Sequence, residues 1–294
     1  MSAVATVVGD AEVMHRLALG VEVVDAVRGR LTDGRPRVGR EVPVPGRVPR
    51  PWERAWPCRD LEPGGGGRFK LRHDGRLPTG ARPVVLRVDD PTRRHVPRRF
   101  AVDLWDLAEV VAGEPPTAGV IAPPAPAAYV PVRSRLFRPW LLPGAAYALP
   151  RGTTGIRGRL VLGPGTPVRW GRVIAVDAGG TVLGTAHADD RGEFVLVLTD
   201  TGVVGAPPSE VDVELAVSGP DPAPAPDPDD PLADLPVEPI AKSANPPAPA
   251  DLDSPLLRGE VDPAGYVASN APRPTHHVPV GEVLSVNEVA VAYP

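Results

Sequence analysis

The chain contains very little cysteine, lysine or aromatic side chain. Cys58 is the single cysteine among 294 residues, which excludes an intrachain disulfide and a zinc site built from this chain's own cysteines. Aromatic residues make up only 4%, so each one is a useful marker of a core. No apolar run reaches the about 18 residues of a membrane helix, and residues 1–20 lack a signal-peptide pattern. A cytoplasmic protein without a membrane span is expected.

Motifs for catalysis and cofactor binding are also missing. The sequence shows no arrangement of Ser, His and Asp that would indicate a catalytic triad, and its serines are not in the Gly-x-Ser-x-Gly context of a nucleophile elbow. The run at 64–67, Gly-Gly-Gly-Gly, lacks the Lys-Ser/Thr of a phosphate loop and precedes a strand pattern, which favours a hairpin connection. We predict no catalytic residue, no cofactor and no enzymatic activity.

Two groups of histidines could suggest a metal site. His276 and His277 are adjacent, and on an extended strand their side chains point to opposite faces. His187 is followed by three carboxylates that could join a calcium or zinc site: Asp189, Asp190 and Glu193. Because a hairpin turn already explains Asp190 and Gly192, we predict no metal site.

The two halves of the chain carry opposite charge. Residues 1–150 have 23 Lys+Arg against 16 Asp+Glu, giving +7, and residues 151–294 have 9 against 20, giving −11. Such halves can attract each other within one chain or between copies. The arginines do not form a basic face with interleaved aromatics, and GC-rich coding explains their number, so no nucleic-acid partner is predicted.

The densest charge run is Arg-Arg-His-Val-Pro-Arg-Arg at 93–99. A strand edge guarded by charge is one explanation. The alternative is contact with the acidic region 227–234 of a neighbouring copy. Tryptophans are enriched at interfaces, although Trp170, inside a strand pattern, is expected in a core. The predicted interface residues are Arg93, Arg94, Arg98, Arg99, Trp52, Trp56 and Trp140.

Short β-branched runs of period two, bounded by Gly, Pro and Asp, dominate the rest of the chain. They are typical of an antiparallel sandwich or barrel, and they are clearest over 155–217. Helical patterning is limited to 2–19 and 104–111. Gly67 and Phe69 stand 125 positions before Gly192 and Phe194, which suggests an internal duplication.

An ordered set of residues spans 152–217: Gly158-Arg159-Leu160-Val161, Gly165, Pro167-Val168, Gly171-Arg172-Val173 and the turn signature Asp190-x-Gly192-x-Phe194. This set resembles the transthyretin-like, or carboxypeptidase regulatory-like, β-sandwich domain. In that family the Asp and Gly form a hairpin turn and the Phe enters the core. The first half departs from the pattern, with Gly65 at the Asp position and an insertion at 41–66. The resemblance implies a fold and no chemistry.

The joining segment 136–147, Leu-Phe-Arg-Pro-Trp-Leu-Leu-Pro-Gly-Ala-Ala-Tyr, is similar to arginine-rich bacterial proteins found with contractile, phage-tail-like injection systems. This implies a non-catalytic structural or adaptor subunit of a cap, baseplate or adaptor, whose partners are other protein subunits, including copies of itself. The alternative is a stand-alone carbohydrate- or peptide-binding β-sandwich module, with Trp52 and Trp56 as an aromatic platform.

We therefore expect an all-β protein with two antiparallel β-sandwich modules, transthyretin- or Ig-like, and a long extended Pro-rich arm. The arm's composition cannot support folding alone, but alternation returns near the end, which predicts docking onto a sheet of its own chain or of a neighbour. The predicted divisions are 1–20, an N-terminal segment with a short helix; 21–112, the first module; 113–134, a Pro/Ala linker; 135–218, the second module; 219–277, the arm; and 278–294, the docking segment.

Overall fold

The computed structural model describes residues 16–42, 56–73, 77, 83–112, 129–199, 209–221, 225 and 227–294. The described chain is mostly β, with several mixed sheets and a few short helices. None of the helices in these ranges is long and apolar enough to cross a membrane. Trp52, most of the predicted N-terminal helix and most of the predicted linker lie outside the described residues.

The first strand group extends from residue 17 to residue 141. Its strands are β1 (Leu17–Glu22), β2 (Val24–Asp25), β3 (Arg30–Leu31), β4 (Arg37–Glu41), β5 (Cys58–Asp60), β6 (Glu62–Gly65), β7 (Arg68–Arg72), β8 (Val84–Asp89), β9 (Arg98–Val102), β10 (Leu136–Phe137) and β11 (Trp140–Leu141). Helix α1 (Leu107–Ala112) and a 3-10 turn (Val132–Arg135) follow β9. The sheet orders are β10-β1-β7-β6, β11-β2-β3 and β9-β8-β4-β5. Strands β10 and β11 run parallel to β1 and β2, although the sequence prediction assigned them to the second module.

Strand β1 replaces the end of the predicted N-terminal helix. Residues 18–21 of β1 are all buried. Leu19, Val21 and Val23 belong to the core of the first group, and their spacing of two residues is that of side chains on one face of a strand. The helical prediction was therefore wrong for residues 17–19, while residues 1–15 lie outside the described chain.

The second strand group begins at residue 155. It comprises β12 (Gly155–Leu162), β13 (Thr166–Pro167), β14 (Arg172–Val176), β15 (Val182–His187), β16 (Glu193–Val197) and β17 (Glu210–Pro220). Strands β13-β12-β16 and β15-β14-β17 lie in two sheets, and one hydrophobic cluster contains side chains from both. Trp170 is buried, as expected, but it lies in a turn before β14 with a φ of 61° rather than inside a strand.

The Pro-rich arm packs on both strand groups. It contains β18 (Val237–Ile240), a 3-10 turn (Pro249–Leu252), α2 (Pro255–Arg258) and β19 (Tyr266–Ala268). Strand β18 runs parallel to β9 of the first group, and β19 runs antiparallel to β17 of the second. The described part of the arm therefore connects the first strand group to the second.

The end of the chain pairs with strands of its own second group. Strand β20 (His276–Pro279) pairs antiparallel with β17, whereas β21 (Val283–Ser285) and β22 (Val289–Val291) pair parallel with β12. Val278, Val289 and Val291 are buried in the second core. The second group is thus completed by strands that follow the arm.

The two groups share a hydrogen-bond pattern. Val23 N–H donates to the carbonyl oxygen of Gly67 at 2.9 Å, and Leu160 N–H donates to that of Gly192 at 2.8 Å. Both glycines have a positive φ, of 73° and 76°. In each group the last strands, β10–β11 and β21–β22, run parallel to the first. This correspondence agrees with the duplication expected from the sequence.

Candidate functional site

A carboxylate of the arm lies between the two strand groups. Glu238, on β18, is 1% exposed. Arg98, on β9, donates from Nε to Glu238 Oε1 at 2.9 Å, and Arg172, on β14, lies 3.5 Å from the same oxygen through Nη2. Arg98 Nη2 also donates to Glu238 Oε2, at 2.5 Å, so the pair is bidentate. Further Arg98 N–H groups donate to the carbonyl oxygens of Trp140, Leu256 and Leu257. One carboxylate of the arm thus contacts a buried cation from each group.

His187, on β15, adds a second contact between the arm and the second group. Its Nε2 lies 2.7 Å from the carbonyl oxygen of Gly259, the residue that ends α2. Burial lowers the pKa of His187 well below its usual value, and the nearby Arg172 and Arg98 lower it further. The neutral ring therefore donates its Nε2 hydrogen to the carbonyl. The bond directs His187 towards the arm.

The arm also crosses the outer face of β8 and β9. Arg87 pairs with Glu41 and, at 2.8 Å, with Asp230 of the arm. Arg99 donates to Glu41 Oε2 at 2.7 Å and to the arm carbonyl oxygens of Ala233 and Leu235. Because β18 covers β9, the arginines at 98 and 99 do not guard a free sheet edge, and the strand-edge explanation was wrong. Arg98 pairs with Glu238 of the arm, whereas Arg99 pairs with Glu41 of β4.

The exposed end of the arginine run contacts the second group. Arg93 donates to both carboxylate oxygens of Asp190, at 2.8 and 3.0 Å, and to Asp189 Oδ2 at 3.1 Å. Arg94 donates to Asp33 at 3.2 Å. An interface role for the exposed Arg93 and the half-buried Arg94 stays a prediction, whereas Arg98 is 1% exposed inside the chain.

The turn before β16 differs in one residue from its sequence interpretation. Asp189 Oδ1 accepts the backbone N–H groups of Arg191 and Glu193 at 2.8 and 3.0 Å, so Asp189 rather than Asp190 closes the turn. Gly192 has the expected positive φ, and Phe194 is buried in the core, as the signature implied. With Asp189 and Asp190 bonded to arginine and His187 facing the arm, these residues do not converge as metal ligands.

A buried charge network supports the loop between β8 and β9. His95 lies between two carboxylates, with Nδ1 3.0 Å from Asp90 Oδ2 and Nε2 3.5 Å from Asp25 Oδ2. The Tyr147 hydroxyl donates to Asp25 at 2.7 Å. Burial opposes protonation of His95, but the bonds and charges of Asp25 and Asp90 outweigh it and raise its pKa. The raised pKa favours the protonated ring, whose two N–H groups face the two carboxylates.

Replacing His95 with glutamine should destabilise the fold by about 3 kcal/mol at pH 6, because Asp90 would remain buried without a cation and Asp25 would keep only the Arg28 guanidinium, at 4.0 Å. The raised pKa makes the stabilising effect of His95 complete below its unfolded pKa of 6.5, and the effect is lost as the pH rises through the folded value. The difference between wild type and variant should therefore shrink at pH 9, measured by urea unfolding. The exposed His277→Gln is the control. A loss of equal size at both pH values would contradict a charged His95.

Two of the predicted tryptophan anchors, Trp56 and Trp140, lie in the described chain, and neither is exposed. Trp56 is 6% exposed, donates from Nε1 to Asp60 at 2.7 Å and lies under the Arg37 guanidinium at 4.3 Å. It therefore belongs to the interior, which corrects its prediction as a surface anchor and platform residue. Trp140 is half-buried, with the Arg258 guanidinium 5.3 Å from its ring.

The Cys58 thiol and the histidines of β20 are two further groups of reactive side chains. Burial raises the pKa of the Cys58 thiol to about 12, so it stays protonated at neutral pH. His276 and His277 point to opposite faces, as predicted, and His277 lies 2.6 Å from Asp212 of β17. Glu210 completes an exposed group whose potential ligand atoms all lie within 4.8 Å of one another. The sequence did not indicate this group because His277 lies 65 residues after Asp212.

Comparisons with known proteins assign no family. No protein-family model matches the chain, and no curated protein matches it. Among solved structures it is similar to the Bacillus anthracis TIE protein, with 10% identity and a TM-score of 0.21, over 94% of this chain and 34% of that one. A leucine-rich repeat protein from Bacteroides thetaiotaomicron gives 10% identity and a TM-score of 0.22, over 94% and 26%. The chain spans about a third and a quarter of these proteins, and the similarities carry no functional argument.

Proposed function

We propose that the chain is a non-catalytic structural or adaptor subunit of a larger bacterial assembly, namely a cap, baseplate or adaptor component of a contractile, phage-tail-like injection particle. The observation that carries the proposal is Glu238, through which the arm joins Arg98 of the first group to Arg172 of the second. A buried ion pair restricts partners to one geometry because a displaced charge would be left without compensation. An assembly subunit needs such a fixed relation between its parts.

Both strand groups are proposed to be β-sandwiches of the transthyretin-like type. Each has one hydrophobic cluster that draws on more than one sheet, and the two groups repeat the Gly67 and Gly192 turn geometry. A sandwich offers a rigid block whose outer faces and loops are free for subunit contacts. The alternative of a carbohydrate- or peptide-binding module loses one platform residue, because Trp56 is buried.

The proposal predicts that the tagged chain, expressed in its own bacterium, sediments with a high-mass particle in a gradient. Imaging of particles from a strain without the gene should show one missing layer of density. Glu238→Ala should reduce incorporation, because the two groups would lose their fixed arrangement, whereas the exposed Glu288→Gln should incorporate normally. A chain that stays at the top of the gradient, with particles unchanged by its deletion, would contradict the proposal.

A further inference from the structure

The outer face of the sheet β10-β1-β7-β6 carries a row of positive charges. Phe69 and Leu71 of β7 pack against the core of the first group, so the alternate side chains of this strand point outward. They are Arg68, Lys70 and Arg72. The three cations line a groove of about 360 Å³, whose apolar lining includes Leu17, Gly20 and Leu136. Together the row and the groove form the basic face.

The basic face has more cations than carboxylates. Two carboxylates serve four cations, in the pairs Arg68–Glu22 at 3.1 Å, Arg138–Glu22 at 2.7 Å, Arg72–Glu62 at 2.7 Å and Lys70–Glu62 at 3.9 Å. Four cations against two carboxylates leave an excess of two positive charges. Arg68 and Lys70 are exposed, and exposed pairs of this kind are weak enough to rearrange towards a partner's carboxylates.

A row of negative charges with the same spacing lies on the second group. Val213 and Leu215 of β17 are buried in the second core, so the alternate side chains of this strand point outward. They are Glu210, Asp212 and Glu214. His277 lies 2.6 Å from Asp212, and within the described ranges no lysine or arginine pairs with the three carboxylates. Their charge is therefore free to meet the cations of a partner.

Apolar side chains border the acidic row, as they border the basic one. Val176 of β14 is the register partner of Glu214, and Val182 of β15 is in turn the partner of Val176. Val182 is 53% exposed. This surface, the acidic face, thus combines three carboxylates with neighbouring valines that can pack against another sheet.

The two faces match in charge and in spacing. Each row has a member at every second residue, which spaces its charges by about 6.6 Å along a strand. The middle members, Lys70 and Asp212, come opposite each other whether the two strands run parallel or antiparallel. Sheets pack face to face at about 10 Å, close enough for lysine and arginine side chains to reach carboxylates across the contact. No ion pair joins the two rows within the described part of the chain, so each face is free to take its complement from another copy.

We infer that the basic face of one copy packs on the acidic face of the next, so that the partner at both faces is a second copy of this chain. The inference rests on the proposed function and deepens it, because it names the surfaces through which the subunits repeat. The opposite net charges of the two halves, +7 for residues 1–150 and −11 for residues 151–294, favour the same orientation. Since the two faces differ, every added copy leaves one face of each kind free, and the contact builds a ring or a filament.

Charge reversal at the middle of each row tests the contact, with the purified full chain in sedimentation velocity. The wild type should self-associate at about 50 mM NaCl and dissociate at about 500 mM, because salt screens exposed charges. Lys70→Glu and Asp212→Lys should each weaken self-association by about tenfold or more, since like charges then face each other. An equimolar mixture of the two variants should regain it, because intact faces pair with intact faces and reversed faces with each other. Glu288→Lys, which reverses an exposed carboxylate outside both rows, should associate like the wild type.

Recovery in the mixture supports the inference and shows that both variants are folded. Circular dichroism checks each variant alone, and the milder Lys70→Gln and Asp212→Asn should weaken association by a smaller factor. A wild type that stays monomeric at both salt concentrations, variants that associate like the wild type, or folded variants whose mixture stays monomeric would overturn the contact. A chain that sediments with its particle but shows no charge-dependent self-association disproves only this contact. A chain that self-associates through both faces but joins no particle disproves only the proposed function.

Discussion

Deleting residues 276–294 should unfold the second strand group. The deletion removes β20, β21 and β22, and with them the buried Val278, Val289 and Val291. Burying one such side chain contributes about 1.5–3 kcal/mol, so the loss approaches the about 5–15 kcal/mol that stabilises a whole domain. It also exposes the pairing edges of β12 and β17, which favours aggregation. Circular dichroism and thermal unfolding should show that the transition of the second group is lost.

A matched pair of substitutions separates this effect from a general effect of shortening. Val278 is fully buried in β20, and Val280, two residues later, is 36% exposed. Val278→Ser should lower the free energy of unfolding by about 2–4 kcal/mol, whereas Val280→Ser should change it by less than about 0.5 kcal/mol. A peptide of residues 276–294 added to the truncated chain should restore the lost transition. If the truncated chain unfolds like the full chain, the docked strands do not belong to the second core.

Local patterns predicted the strands, but pairing between distant segments decided the boundaries. Alternation was enough for β12, β14 and β16, and for the burial of Phe194. The sequence could not show that β10 and β11 belong with β1 and β2, because their partners lie more than 110 residues earlier. Two-residue strands carry almost no periodic signal of their own. Strands β10 and β11 belong to the first group because they pair in parallel with β1 and β2.

The charges of the junction were visible in the sequence, whereas their pairing was not. The arginine run and the acidic arm were both apparent, and contact within one chain was one of the options. The structure joins Arg98 to a carboxylate 140 residues away. Trp56 was misjudged for a related reason, because its burial depends on Asp60 and Arg37 from neighbouring strands. Residue type indicates the interaction that a side chain can make, and topology supplies the partner.

Glu238→Ala should be the most damaging single substitution at the junction, with a loss of about 3–5 kcal/mol in the free energy of unfolding. Arg98 and Arg172 would then share a buried site without an anion, and the carbonyl oxygens bonded to Arg98 cannot balance its charge. The control is Glu260→Gln. Glu260 lies 3.9 Å from Arg258 on the surface, where an ion pair contributes about 0–1 kcal/mol.

A charge-free version of the junction tests whether Glu238 supplies stability or a fixed arrangement. Replacing Arg98 and Arg172 with methionine and Glu238 with leucine should restore most of the lost stability, since apolar groups of similar volume can replace a buried ion pair at little cost. The fixed position of the arm should not return together with the stability. Limited digestion with trypsin measures how firmly the arm is held, because Lys242 and Arg258 become cleavable when the arm detaches from the two strand groups. We expect slow cleavage in the wild type, fast cleavage in Glu238→Ala and intermediate cleavage in the stable triple variant. Cleavage of the triple variant at the wild-type rate would show that packing alone holds the arm.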